Sequence, residues 1–161
     1  MPIGQDKLRM VMRQWTSGVT VVTTQYQGIY HGMTVSSFTS VALDPPLVTI
    51  SLNKDSRTHN LVMRSSIFGI TILSKEQIEI SRVFAGQVPD SDDRFAGIDK
   101  FALVTGAPLI TGGLAFFDCQ VSQVYDFHTN SLIIGEVIAA EIGEQENPLL
   151  YFNQQYHQLQ E

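Results

Sequence analysis

Hydroxyl side chains crowd two short stretches of the chain, Met33-Thr34-Val35-Ser36-Ser37-Phe38-Thr39-Ser40 and Asn53-Lys54-Asp55-Ser56-Arg57-Thr58. Each combines small donors and acceptors with a turning backbone, which leaves N–H groups free to meet a ligand. In the second stretch Asp55 or Ser56 caps an expected helix, so Ser56, Thr58 and the first unpaired N–H groups stand at a helix start. That is a place for phosphate, because unpaired donors and the positive end of the helix dipole coincide there. Between the two turns, Pro45-Pro46 launches the apolar run Leu47 to Leu52. The expected ligand is therefore extended and anionic, with phosphate at one end of a strand and a flat polar group at the other. Turn chemistry alone also enriches Ser and Thr, and only the pairing of the two stretches favours the ligand.

The elements that must hold these turns are mostly strands. Val19 to Thr24 is β-branched throughout, and Gln27-Gly28 suits a hairpin turn into a second strand, Ile29 to Val35. Leu47 to Leu52 and Ile67 to Leu73 read as two more strands, with a short helix over Ser56 to Ser66 between them. Ser74-Lys75-Glu76-Gln77 has capping-box form and leads a helix that ends near Ala85-Gly86. Leu114 to Val124 and Leu132 to Ile142 are the longest strand candidates, and the aromatic tail Pro148 to Tyr156 packs back on the body. Near the N-terminus, Leu8, Val11, Met12 and Trp15 form a helical stripe, with Met10, Met12 and Trp15 expected in the core. Pro89-Asp90-Ser91-Asp92-Asp93 reads as a solvated acidic turn, with the alternative that it covers the ligand. Six or seven strands joined by short turns, with two or three short helices, favour an antiparallel β-barrel over a βαβ sheet. No GxGxxG turn links a strand to a helix, which disfavours a Rossmann fold.

Length and charge narrow the function. A chain of 161 residues is enough for one buried core, so a single domain over residues 1–161 is expected. A formal net charge of -6 argues against a nucleic-acid partner, which requires a surplus of Lys and Arg. Charged residues are only 16% of the total, which leaves room for a subunit interface. One cysteine, Cys119, forms no internal disulfide and alternates with Phe117 and Val121, as a buried inert thiol would. The four histidines have no metal-ligand spacing, and no metal is expected. There is no signal-peptide pattern and no apolar run long enough to span a membrane, so the cytoplasm is the expected compartment.

Taken in order, several blocks resemble the flavin reductase-like family, small proteins with the FMN-binding split-barrel fold that include reductase components of two-component flavin monooxygenases. The blocks are Ser17 to Thr24, Gly32 to Val41 with Leu43-Asp44-Pro45-Pro46-Leu47-Val48, Asp93-Arg94-Phe95-Ala96-Gly97, Pro108-Leu109, Gly113-Leu114-Ala115 with Cys119, Ile134-Gly135-Glu136-Val137, and Pro148-Leu149-Leu150-Tyr151. The resemblance runs almost end to end and implies a mainly β, antiparallel Greek-key split barrel with a few short helices. In the most specific block, Val35 stands where the family more often has Ala.

The resemblance also assigns roles. Thr34, Val35, Ser36 and Ser37 would edge the isoalloxazine and ribityl chain. Ser51 and Asn53 would hold the ribityl and phosphate region, and Ser56 and Thr58 the phosphate, with Arg57 or Lys54 adding a cation. Phe84 and Ala85 would border the flavin from the following helix. The implied reaction is hydride transfer from NADH or NADPH to FMN, with FAD as the alternative flavin, and reduced flavin then passes to a partner monooxygenase. A homodimer is implied as well. Family reductases usually carry Gly-Asp-His before the Ile134-Gly135-Glu136-Val137 strand, and the His position falls on Asn130, preceded by His128-Thr129. Asn130 and His128 are therefore the expected catalytic residues. The alternatives are a flavin-binding redox or sensor protein without efficient NAD(P)H turnover, and an oxidase of the pyridoxamine-phosphate type on a similar barrel.

Overall fold

A computed structural model describes residues 1–160. Helix α1 (Gln5–Met12) and the short strand β1 (Ser17–Gly18) lead into the hairpin β2 (Thr20–Tyr26) and β3 (Ile29–Val35). Its two turn residues, Gln27 and Gly28, both have positive φ (50° and 81°), the backbone that lets a two-residue turn follow the twist of its strands. After β4 (Thr39–Ala42) and β5 (Leu47–Asn53) come helix α2 (Arg57–Ser65) and strand β6 (Ile67–Ile72). A 3-10 turn (Lys75–Gln77), helix α3 (Ile78–Arg82) and a π turn (Val83–Gln87) follow, and Gln77 Oε1 accepts the Ser74 N–H at 3.0 Å, as the capping-box pattern anticipates. Short β7 (Lys100–Phe101) and β8 (Leu109–Ile110) precede the long strands β9 (Ala115–Asp126) and β10 (Asn130–Ile142), and the chain ends in the hairpin β11 (Leu149–Phe152) and β12 (Gln155–Gln158).

The main sheet has seven strands in the order β3-β2-β6-β9-β10-β5-β4, each pair antiparallel. Alternation along β2 feeds two cores, which is why its β-branched residues are buried on both faces. Val22 joins Val35, Ile50, Leu52, Phe68, Ile70, Cys119 and Ile133 inside the curled sheet, with Val62 of α2 closing one end. Val21 joins Val19, Leu73, Phe84, Phe95, Ile110 and Leu149 on the outer face, beneath the α3 region and the tail hairpin. The split-barrel reading is thus met, and the tail packs back as expected. β10 bulges beside Gly135, whose backbone lies so close to the Phe68 ring that a Cβ would collide with it. Burial pushes the Cys119 thiol up to about 12, so it stays protonated and unreactive.

Two expectations need correcting. The stripe of the first helix exists, but α1 buries none of its residues, and Met10, Met12 and Trp15 are 58%, 54% and 70% exposed. Periodicity finds an apolar face without saying what covers it, and none of the described residues buries this one. The acidic turn is also not wholly solvated. Asp90 reaches back to α2, where its carboxylate accepts the Arg57 N–H at 3.1 Å.

Helix α2 is pinned to β3 by a buried polar contact. His31, 1% exposed, sets Nδ1 2.8 Å from Thr58 Oγ1. Burial first, and then the Arg94 guanidinium, lower the His31 pKa from 6.5 to about 4, against the opposing pull of Asp90. The folded state thus disfavours the proton that the unfolded chain accepts, so the stabilising contribution is full above about pH 6.5 and is lost as pH falls toward 4. Over that window His31 accounts for a loss of about 3 kcal/mol. Urea unfolding at a series of pH values checks this. The profile of His31→Asn is expected to be flatter than that of the native chain, and parallel profiles would remove His31 as the cause.

Candidate functional site

The site begins with an unpaired strand edge. β3 stands at the end of the seven-stranded sheet with β2 as its only partner there, so half of its backbone donors and acceptors face away from the sheet. At Gly32 that edge is covered, because Arg94 Nη1 donates to the Gly32 carbonyl at 2.9 Å. Further on, Met33, Thr34, Val35 and Ser36 border a cavity of about 400 Å³. Ser81, Phe84 and Ala85 form a second wall, and Tyr151 and Tyr156 of the tail hairpin another. Thr34 Oγ1 donates to the Ser81 carbonyl at 2.7 Å, and Ser81 Oγ lies 2.7 Å from the Tyr156 hydroxyl. These bonds lock the walls together, so the cavity is largely preformed, of a size and mixed lining suited to a small cofactor.

At the cavity's other end stand Ser56, Asp90 and Arg94. Ser56 is the N-cap of α2, with extended backbone and Oγ accepting the His59 N–H at 3.1 Å. Arg57 donates its backbone N–H to Asp90 Oδ2 at 3.1 Å and its Nη1 to the Asp90 carbonyl at 2.8 Å. Arg94 Nη2 lies 2.8 Å from Asp90 Oδ1. His31 Nε2 is 3.7 Å from the same oxygen and is buried without a hydrogen-bond partner. At pH 7 this is a neutral ring facing a carboxylate rather than an ion pair, since the His31 pKa is about 4. The donors at the α2 start thus already converge on one anionic group, which is the test a phosphate would have to pass. Thr58 departs from expectation. It is fully buried with its hydroxyl on His31, so it fixes that ring instead of meeting a ligand.

The remaining predicted residues gather in a neighbouring network. Ser37 Oγ accepts the Ser51 N–H at 2.9 Å and donates to the Ser51 carbonyl at 3.1 Å, tying the turn after β3 to β5. Asn130 Nδ2 donates to Ser51 Oγ at 3.2 Å, and Asn130 sits opposite Asn53 in the β10–β5 register. Asn53 Oδ1 is occupied by the Asp55 N–H at 2.8 Å. Lys54 donates its N–H to the Thr129 carbonyl at 2.9 Å and holds Nζ 3.5 Å from Asp126. Ser131 Oγ donates to Asp126 Oδ1 at 2.9 Å and lies 2.8 Å from His59 Nε2; that bond and then Lys54 lower the Asp126 pKa. The β9–β10 turn is therefore drawn onto the turn after β5. In consequence neither Asn130 nor His128 lines the cavity, and His128 is exposed.

Of the residues expected at the flavin, Thr34, Val35, Ser36, Ser56, Phe84 and Ala85 line the cavity, and Gly18, Ser81, Asp90, Arg94, Tyr151 and Tyr156 line it beside them. Arg94 carried a signal, a lone arginine before Phe95 in an otherwise apolar and acidic block. The two tyrosines carried none beyond the aromatic character of the tail.

Residues 12–160 match the family described as flavin reductase like domain. Among curated proteins, the chain is 35% identical over 154 residues to the reductase subunit HsaB of a flavin-dependent monooxygenase from Rhodococcus jostii, covering 96% of this chain and 77% of the relative. It is also 35% identical over 152 residues to the NADH-dependent flavin reductase StyB of Pseudomonas fluorescens, covering 92% and 86%. Among solved structures, flavin reductase PheA2 in its native state superposes with a TM-score of 0.89 at 36% identity, covering 99% of this chain and all (100%) of that one. The NADH:FAD oxidoreductase SgcE6 of Streptomyces globisporus, in complex with NAD and FAD fragments, gives a TM-score of 0.88 at 31% identity, covering 99% and 98%. The chain belongs to the flavin reductase-like family.

Proposed function

We propose that this protein is an NADH-dependent flavin reductase that binds FMN or FAD in the cavity between β3 and the start of α2. The observation that carries this reading is the convergence, on one preformed cavity, of an open strand edge and a helix start rich in anion donors. The names of the relatives support turnover with NADH over a store or sensor without it. When bound, flavin supplies the hydride acceptor at its ring, so the protein needs no nucleophile or general base of its own. The chain's own residues bind and orient. The Thr34–Ser36 edge offers backbone donors and acceptors to the polar rim of the ring, Met33, Phe84 and Ala85 offer apolar surface, and Ser56 with Arg57 and Arg94 meets the phosphate. Ser37, Ser51 and Asn130 support the edge from behind. Reduced flavin then passes to a partner monooxygenase.

The exposed face of α1 supports a homodimer, since Leu8, Val11 and Met12 on that helix and Trp15 just beyond it are all more than half exposed. Light scattering on the eluting protein is expected to give twice the 17.9 kDa chain mass, and Val11→Asp with Trp15→Glu to shift it toward the monomer. A native chain that elutes as a monomer at all concentrations rejects the dimer.

Turnover is tested by following NADH absorbance. Protein with catalytic amounts of added FMN is expected to oxidise NADH at least tenfold faster than free flavin (on the order of 1–10³ turnovers per second is usual for enzymes). A rate equal to the free-flavin background ends the reductase reading. The phosphate placement has its own check. Ser56→Glu sets a carboxylate against the phosphate, so the FMN Kd from fluorescence quenching is expected to rise by about tenfold or more. Riboflavin, which lacks the phosphate, serves as the reference ligand and is expected to change little.

A further inference from the structure

The acidic turn that was expected to point into solvent instead delivers an anion to the helix start. Asp90 Oδ2 accepts the Arg57 N–H at 3.1 Å, and the Asp90 carbonyl accepts Arg57 Nη1 at 2.8 Å. Asp90 Oδ1 lies 2.8 Å from Arg94 Nη2 and 3.7 Å from His31 Nε2. His31 Nε2 is a second, independent pointer to a ligand, because it belongs to a ring 1% exposed and has no partner of its own. A carboxylate spans less than a phosphate and leaves that nitrogen, the ring's donor in the tautomer whose Nδ1 accepts the Thr58 hydroxyl, unmet at 3.7 Å. The donor set is therefore built for a larger anion than the one it holds. Asp90 itself is 44% exposed and sits on a surface turn held by the Asp92 N–H on the Pro89 carbonyl at 3.0 Å, and neither core cluster includes a residue of that turn.

We infer that Asp90 is an internal competitor for the flavin phosphate, occupying the α2 start and released only when a phosphorylated flavin displaces it. This rests on the flavin-reductase reading above and adds a specificity-determining residue to it. Two anions cannot share these donors, since like charges a few Å apart repel by several kcal/mol even at an intermediate dielectric of about 20. Each FMN that binds must therefore break the contacts of Asp90 with Arg57 and Arg94. Riboflavin, with no phosphate, leaves them intact. The competitor weakens FMN selectively and lowers the discrimination between phosphorylated and unphosphorylated flavin.

The test compares FMN and riboflavin binding by fluorescence quenching in the native protein and in Asp90→Asn. The expected result is an FMN Kd lowered about tenfold, with the riboflavin Kd within about twofold of native. An FMN Kd that is unchanged or raised overturns the inference, and so does equal tightening of both ligands, which would place the effect at the ring end. A second measurement needs no variant. In native protein, FMN is expected to increase amide hydrogen exchange at Asp90 to Asp93 while riboflavin leaves it unchanged, and protection by FMN overturns the displacement. Failure here is separable from failure of the flavin site. A native protein that prefers FMN, loses that preference in Ser56→Glu and keeps it unchanged in Asp90→Asn retains the phosphate placement and discards Asp90 alone. A native protein indifferent to the phosphate discards both.

Discussion

Strand β3 carries hydrogen-bonding groups on two sides, and β2 satisfies those on one. In a closed barrel the other side would pair with a neighbouring strand, and an open one leaves it as a liability for aggregation. Here the edge is handled residue by residue. Arg94 covers Gly32, the π turn after α3 brings Phe84 and Ala85 alongside, and the stretch from Thr34 to Ser36 is left to line the cavity. The rest of the site follows from that opening. The seam between β3 and β5 is bridged by the Ser37–Ser51 pair just past β3 and by Val35, which shares a core with Val48, Ile50 and Leu52, while Thr34 to Ser36 are left on the cavity.

What could be read from the sequence was what is decided locally. The hairpin turn, the Ser56 cap and the strand Leu47 to Leu52 depend on a few consecutive residues, and all three stand where pattern and capping put them. The hydroxyl stretch after Gly32 lines a cavity in part, but which of its residues do so was not legible. Whether Ser36 faces the cavity and Ser37 faces β5 depends on a turn whose partner lies 14 residues further on. Thr58 was misjudged for a related reason. Spacing from a helix cap places a hydroxyl near the helix start, but only the position of β3 decides that His31 takes it.

Residues that act over long separations left the faintest traces. Arg94 reaches Gly32 across 62 positions and Asp90 reaches Arg57 across 33, and nothing in either local sequence names its target. The net negative charge hid their role, since a chain with a charge of -6 has few cations to spare for an anion. The structure answers by concentration. It brings two arginines, a helix start and a buried imidazole to one point, where partial desolvation makes each count for more than it would on the surface. The α1 stripe was legible as apolar and misassigned, because an exposed apolar face has the same periodicity as one that meets its own core.

Arg94 sets the energetic terms of this site. It is 6% exposed, and a guanidinium so placed without a counter-charge would cost several kcal/mol. Its three carbonyl acceptors, on Gly32, Phe84 and Val88, take the Nε and Nη1 hydrogens but do not balance its charge. A carboxylate from a surface turn supplies that charge, and a phosphate bound at the α2 start would supply the same. Exchange of one anion for the other then keeps Arg94 paired before and after binding, so neither arrival nor departure of the ligand strands a buried cation. A site of that kind holds its ligand with less than the full strength of its donors. A modest net affinity of this origin favours release of the ligand.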